Sequence, residues 1–253
     1  MSSNNRVALV TGGAAGIGAA ISAQFAAAGH QVIVSDINLE AATQTAKSIE
    51  AQRGVATPMI LDVGNQESIE RCFGEVERQF GRCDILVNNA GIAKTYPFLD
   101  YPLDHWLKAM NVNVTGVLLC SQHAARLMVR QKWGRIINIA SISGMRASAG
   151  RTAYGTSKAA VIGLTRQMAI ELAEHGVTVN GVAPGPVDTP LTEQLHSEQT
   201  RQSYARAVPM RRYGTPDEIA AVVTFLASEA ASYVTGHVIP ADGGFVAAGV
   251  LEI

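Results

Sequence analysis

The sequence predicts an α/β fold: a doubly wound sheet of about seven parallel strands with helices on both faces. Three observations carry this expectation. Short β-branched runs alternate with stretches of helical spacing along the whole chain. The first run passes through a glycine-rich turn directly into a helix. The 253 residues, 47% of them apolar, suffice for one large buried core.

The elements follow in order. Residues 7–10 read as a strand, after which Ile17, Ala20, Ile21, Gln24, Phe25 and Ala28 keep helical spacing and Gly29 ends the helix. Residues 32–36 form the second strand, 39–52 a helix and 56–62 the third strand. Asn65 is placed to cap a helix whose stripe is Ile69, Cys72, Phe73, Val76 and Phe80, closed by Gly81. Strands at 84–87, 135–140, 177–182 and 237–240 follow, with helices at 103–131 and 152–175. Thr215-Pro216-Asp217-Glu218 is a capping box opening a helix that runs to residue 227. Pro240 fits only a strand end or edge. Residues 184–213 read as one long irregular insertion, the mark of a lid or binding loop.

Several function classes are disfavoured by composition. A formal charge of -1 gives no footprint for nucleic acid or an anionic membrane. The chain opens on a short polar stretch and four apolar residues, so neither a signal peptide nor a membrane span is expected and the cytoplasm is the expected location. Cys72, Cys83 and Cys120 lack metal-ligand spacing and are expected to be buried thiols; no metal site is expected. One domain over 1–253 is expected, with a lid over about 186–213.

The turn Thr11-Gly12-Gly13-Ala14-Ala15-Gly16-Ile17-Gly18 would bring backbone close to a pyrophosphate, with the helix N-terminus supplying free N–H groups. Asp36, at the end of the second strand, would accept hydrogen bonds from ribose hydroxyls and repel a 2′-phosphate. Neither Ala14, Ala15 nor Ile37 supplies a cation to offset it, so NAD is the expected cofactor. Tyr154 and Lys158 stand at i and i+4 on one helix face. A nearby ammonium, with the positive nicotinamide ring, would lower the tyrosine pKa and make it a general acid/base. Ser141 and Ser143 lie beyond the carboxyl end of a strand, where open α/β sheets bind ligands.

Further motifs recur in order: Asp62-Val63, Asn88-Asn89-Ala90-Gly91, Asn113 within a long helix, and Pro184-Gly185-Pro186-Val187-Asp188-Thr189. Together with T-G-x-x-x-G-x-G over Thr11–Gly18, Ser141 and Tyr154-x-x-x-Lys158, they resemble the short-chain dehydrogenase/reductase family across essentially the whole chain. The resemblance implies a Rossmann-type domain in which Asn113, Ser141, Tyr154 and Lys158 are catalytic. It implies dinucleotide contacts from Gly12, Gly16, Ile17, Gly18, Asp36, Asp62, Val63, Asn89, Tyr154, Lys158, Pro184, Gly185, Val187 and Thr189. Asn88 is expected either beside Asn89 at the ribose or as a purely structural residue. The serine polarising the substrate oxygen is Ser141, with Ser143 the second candidate, and Asn113 is expected to hold a water relaying protons from Lys158.

The expected reaction is NAD(H)-dependent interconversion of a secondary alcohol and a ketone. Arg146 and Arg151 lie between Ser141 and Tyr154 and would hold an anionic or hydroxylated substrate, such as a sugar acid or polyol. His196 is the one histidine in the expected lid. Other readings are a 3-oxoacyl thioester reductase, a non-catalytic dinucleotide sensor, and a sugar-nucleotide epimerase or dehydratase, for whose substrate domain the chain is short. The family resemblance implies a homotetramer, in which the apolar tail at 245–253 would be covered.

Overall fold

Alternation within β1 (Val7–Thr11) decides how the sheet is covered. Ala8 and Val10 face one core with Ile21, Phe25, Ile219 and Leu226, whereas Val7 and Leu9 face another with Ile69, Phe73, Cys120 and Met128. Every residue of β1 is buried, as a strand covered on both faces requires. Each large apolar side chain removed from water this way contributes roughly 1.5–3 kcal/mol. The computed structural model describes residues 5–249.

Helices α1 (Gly16–Ala27), α2 (Leu39–Ala51) and α9 (Pro216–Ala227) cover the first face. Helices α3 (Gln66–Phe80), α5 (Gly116–Gln131) and α6 (Thr152–Leu172) cover the second. The remaining strands are β2 (Gln31–Asp36), β3 (Val55–Ile60), β4 (Ile85–Asn88), β5 (Gly134–Ile139), β6 (Val177–Pro184) and β7 (Val238–Ala241). All pair in parallel, in the order β3-β2-β1-β4-β5-β6-β7. The chain runs outward from β1 to β3, then returns to place β4 on the other side of β1. That reversal opens a crevice beyond the carboxyl ends of β1 and β4, where ligands of such sheets bind. Prolines enter the ladder at Pro58 of β3 and Pro240 of β7, the two edge strands, where a missing N–H is tolerated, and at Pro184, the last residue of β6.

Two stretches differ from the sequence expectation. The helix expected over 103–131 is divided: α4 (Leu103–Met110) passes through a π-helical turn, Asn111–Thr115, before α5 begins. The stretch expected to be irregular carries two short helices, α7 (Pro190–Leu195) and α8 (Glu198–Ala207). Each is opened by a side-chain cap, Thr189 for α7 and Ser197 for α8. All three cysteines are free and buried, and burial pushes Cys72 and Cys120 up to about 12, far from a reactive thiolate. Among the described residues no helix is long and apolar enough to cross a membrane. Residues 250–253 of the expected apolar tail lie outside the described residues.

Candidate active site

The crevice begins with the glycine-rich turn. Gly12 and Gly16 take φ of 61° and 51°, the left-handed region that glycine enters without strain. A Cβ on Gly18 would collide with the Gly12 carbonyl, so the turn closes only on glycine there. Asn89 braces it, its Nδ2 donating to the carbonyls of Thr11 at 3.0 Å and Gly12 at 2.9 Å. Thr11 Oγ1 accepts from the N–H of Asn89 at 3.0 Å and of Ala90 at 3.1 Å, locking β1 to the segment after β4. Asn88 turns into the core instead, donating to Ser121 Oγ and Asn138 Oδ1. It is a structural residue.

The N-terminus of α1 has no side-chain cap and no acidic residue in its first turn, unlike α2 and α3, which are capped by Asn38 and Asn65. Its N–H groups and positive dipole end face a cleft of about 270 Å³ lined by Gly12, Gly16 and Ile17 on one side. Pro184, Gly185, Val187 and Thr189 line the other side, and a Cβ on Gly16 would come within 3.4 Å of Thr189. This narrow, backbone-walled cradle fits a dinucleotide pyrophosphate. Asp36 stands at its edge, one carboxylate oxygen accepting from Ala14 N–H at 3.3 Å and the other from Asn38 N–H at 3.0 Å. Asp62 and Val63 lie after β3 outside that lining. Asp62 accepts from Gly64 N–H at 2.8 Å, and Val63 is buried against Gly116.

The cleft deepens toward Ser141, Tyr154 and Lys158. Ser141 follows β5, its Oγ accepting from Ser143 N–H at 3.1 Å and hydrogen-bonding Tyr154. Lys158 lies one helical turn beyond Tyr154, its Nζ donating to the Ile139 carbonyl at 2.7 Å and lying 5.7 Å from the Tyr154 ring centre. Asn113, on the π-helical turn, is fully buried. It accepts from Ile92 N–H at 2.8 Å and donates to the Ile92 carbonyl and to Ser157 Oγ. A Cβ on Gly91 would lie 3.2 Å from Asn113 Oδ1 and 3.6 Å from Lys158 Nζ, so this glycine borders both groups. Asn111 points elsewhere, to the Gly64 carbonyl.

Electrostatics correct one expectation. Burial pushes the Tyr154 phenol above its ordinary value of 10.0; the Ser141 hydrogen bond and the Arg151 charge oppose this without reversing it. The expected lowering by a neighbouring ammonium is therefore absent before a cofactor binds. Burial also brings Lys158 down to about 8, so at neutral pH it is still largely an ammonium.

Beyond Tyr154 a smaller cavity of about 70 Å³ is lined by Ser143, Arg151, His196 and Tyr204. Ser141, Tyr154 and Gly185 line both spaces. Arg146 does not join them: it is exposed and directs Nη1 toward the Phe245 carbonyl at 3.5 Å. Val187 is buried in a bridge to Gly214, and its carbonyl already accepts from Thr192 Oγ1 at 2.6 Å. Ser157 supports the site without having been singled out in the sequence, whereas Thr11 and Gly91 stood inside its motifs with no role assigned.

Comparison with known proteins agrees with this geometry. Residues 12–246 match the family described as enoyl-(acyl carrier protein) reductase. The chain is similar to the 3-oxoacyl-(acyl-carrier-protein) reductase FabG of Aquifex aeolicus, with 43% identity over 94% of this chain and 96% of that one. It is 41% identical to the FabG of Thermotoga maritima over 95% of this chain and 98% of that one. Among solved structures, a gluconate 5-dehydrogenase from Burkholderia cenocepacia, in complex with NADP and tartrate, superposes with a TM-score of 0.93. It shares 34% identity over 96% of each chain.

Proposed function

This chain belongs to the short-chain dehydrogenase/reductase family of oxidoreductases, and on that premise we propose that it interconverts a 3-oxoacyl and a 3-hydroxyacyl compound with Tyr154 as general acid/base. The observation carrying the proposal is the junction of two spaces at Ser141 and Tyr154, a dinucleotide-sized cleft and a smaller cavity. A hydride donor and its acceptor must meet at such a junction. The nicotinamide, when bound, gives or takes the hydride. The chain's own residues manage the oxygen: Ser141 orients it, and Tyr154 supplies or removes its proton. Asn113, across Gly91 from Lys158, holds the water through which that proton is replaced.

The 3-oxoacyl reading takes precedence over the polyol or sugar acid expected from the sequence because it is what the curated relatives are named for. The gluconate dehydrogenase keeps the sugar-acid reading as the second. The test is reduction of the N-acetylcysteamine thioester of 3-oxobutyrate, followed by loss of NADH absorbance. Wild-type protein should turn it over, and Tyr154→Phe should lower kcat by about 10²–10⁴-fold. Turnover of gluconate-type substrates without any 3-oxoacyl compound would replace this reading with the second.

Two finer features belong to the proposal. The cofactor is NAD(H), because Asp36 faces the turn with Ala14 and Ala15 beside it and no cation to accept a 2′-phosphate. The assembly is a homotetramer, supported by exposed apolar side chains on adjacent helices: Leu103 and Leu107 on α4 and Ile170 on α6. A monomeric mass by light scattering would remove the second.

A further inference from the structure

Arg151 stands at the N-terminus of α6, its guanidinium carbon 5.5 Å from the Tyr154 ring centre, and lines the small cavity. A guanidinium stays charged and can only donate. Two lid arginines are ion-paired, Arg201 with Asp188 at 2.5 Å and Arg212 with Glu218 at 2.6 Å. Arg151 has no carboxylate within ion-pair distance among the described residues. Its Nη2 meets His196 Nε2 instead, at 3.0 Å. Because arginine must donate, Nε2 carries the lone pair and the imidazole proton sits on Nδ1, facing Tyr213 Oη at 2.9 Å. Stacking on Tyr204, at 5.2 Å between ring centres, fixes the ring plane. A part-buried cation beside the reacting oxygen is thus satisfied by one neutral nitrogen, which leaves its charge without a counterion.

We propose that Arg151 forms an anion site, at the expense of its contact with His196, for the carboxylate of a short 3-oxo or 3-hydroxy acid, whose reacting oxygen lies at Tyr154 and Ser141. The proposal rests on the reading of Tyr154 given above and narrows its substrate to the free acid rather than a thioester. Arg151 takes the carboxylate through two N–H groups, a geometry that lysine cannot reproduce. The chemistry balances. In reduction the carbonyl carbon receives the hydride of the reduced nicotinamide, its oxygen receives the Tyr154 proton, and the phenolate regains a proton from solvent. His196 follows α7 and Arg151 opens α6, so an arriving carboxylate also reorganises the contact that ties the lid to the catalytic helix.

The test compares 3-oxobutyrate with its neutral methyl ester and its N-acetylcysteamine thioester, at saturating NADH. Wild-type protein should favour the acid in kcat/KM. Arg151→Gln should reduce the acid-to-ester ratio by about 10- to 100-fold, chiefly through KM for the acid. Arg151→Lys should restore part of it. An unchanged ratio in Arg151→Gln, or a wild-type preference for the ester or thioester, overturns the proposal. If Tyr154→Phe still reduces the ester at the wild-type rate, the reading of Tyr154 fails instead. Should wild-type protein turn over none of the three, calorimetry of 3-hydroxybutyrate binding to the NAD⁺-loaded protein decides. Binding lost in Arg151→Gln supports the anion site, and absence of binding to wild type overturns it.

Discussion

Lys158 carries the largest electrostatic burden in the site. It is 5% exposed, and its ammonium has the Ile139 carbonyl as its hydrogen-bond acceptor. Burial lowers it from the usual 10.5 to about 8. Below pH 8 the native protein holds a desolvated charge at full cost. Between 8 and 10.5 the unfolded chain binds a proton that the native state does not, so this group's contribution to stability rises with pH across that window, while the buried thiols Cys72 and Cys120, raised from 9.0 to about 12, contribute with the opposite sign. The gain is on the order of 3 kcal/mol at most. Lys158→Met should therefore remove this contribution, so that its stability changes less favourably from pH 8 to pH 10 than that of the wild type, and urea midpoints of the cofactor-free proteins at the two pH values would show it. Equal slopes for the two proteins would mean that the ammonium stays solvated. Tyr154 moves in the other direction, raised above its ordinary value by burial, which favours the neutral phenol. The positive ring of an oxidised cofactor would favour its deprotonation. The chemical identity of these side chains was legible from their motifs, but the sign of the Tyr154 shift was not. A sequence shows that a lysine stands at i+4; it does not show how much water both groups lose.

At the scale of elements, two threonine-proline pairs read differently although they act alike. Thr215-Pro216 is followed by Glu218, and the full capping box announced α9 from sequence. Thr189-Pro190 is followed by Thr192, whose hydroxyl closes the same reciprocal box less recognisably, and α7 was missed. The elements carry different loads. α9 buries Ile219, Val223 and Leu226, so Thr215→Ala should cost about 1 kcal/mol. For a chain of this size that corresponds to roughly 2–4 °C in Tm by calorimetry. No residue of α7 is buried. Thr189→Ala should leave Tm almost unmoved yet speed proteolytic nicking between residues 190 and 213; unchanged nicking would show that the cap does not hold the lid. The π-helical turn was beyond the sequence for a physical reason. It shifts the helical register within a stretch whose apolar spacing on either side stays ordinary, and its effect is to aim Asn113 toward Gly91 and Ile92.

For the whole molecule, the parallel, doubly wound sheet was readable because short β-branched runs alternate with helices, whereas the strand order β3-β2-β1-β4-β5-β6-β7 is seen only in the structure. The crevice follows from that order. It lies where β1 and β4 part, so the turn of β1, the Asn88–Asn89 segment of β4 and the Ser141 end of β5 converge although they are far apart in sequence. A ligand in this crevice touches elements from both halves of the sheet and stabilises the fold as a unit. Binding adds RT ln(1 + [L]/Kd), about 2.7 kcal/mol at a hundredfold excess over Kd, or roughly 5–10 °C in Tm for a chain of this length. The proposed preference for NAD(H) can be read without any substrate. Thermal unfolding with equal concentrations of NADH and NADPH should show the larger shift for NADH, because the Asp36 carboxylate repels a 2′-phosphate. Asp36→Ala should bring the two shifts together by weakening NADH and admitting NADPH, while the Ala14 N–H loses its acceptor. A larger NADPH shift in wild-type protein would mean that Asp36 turns away from the ribose and serves only to hold the glycine turn.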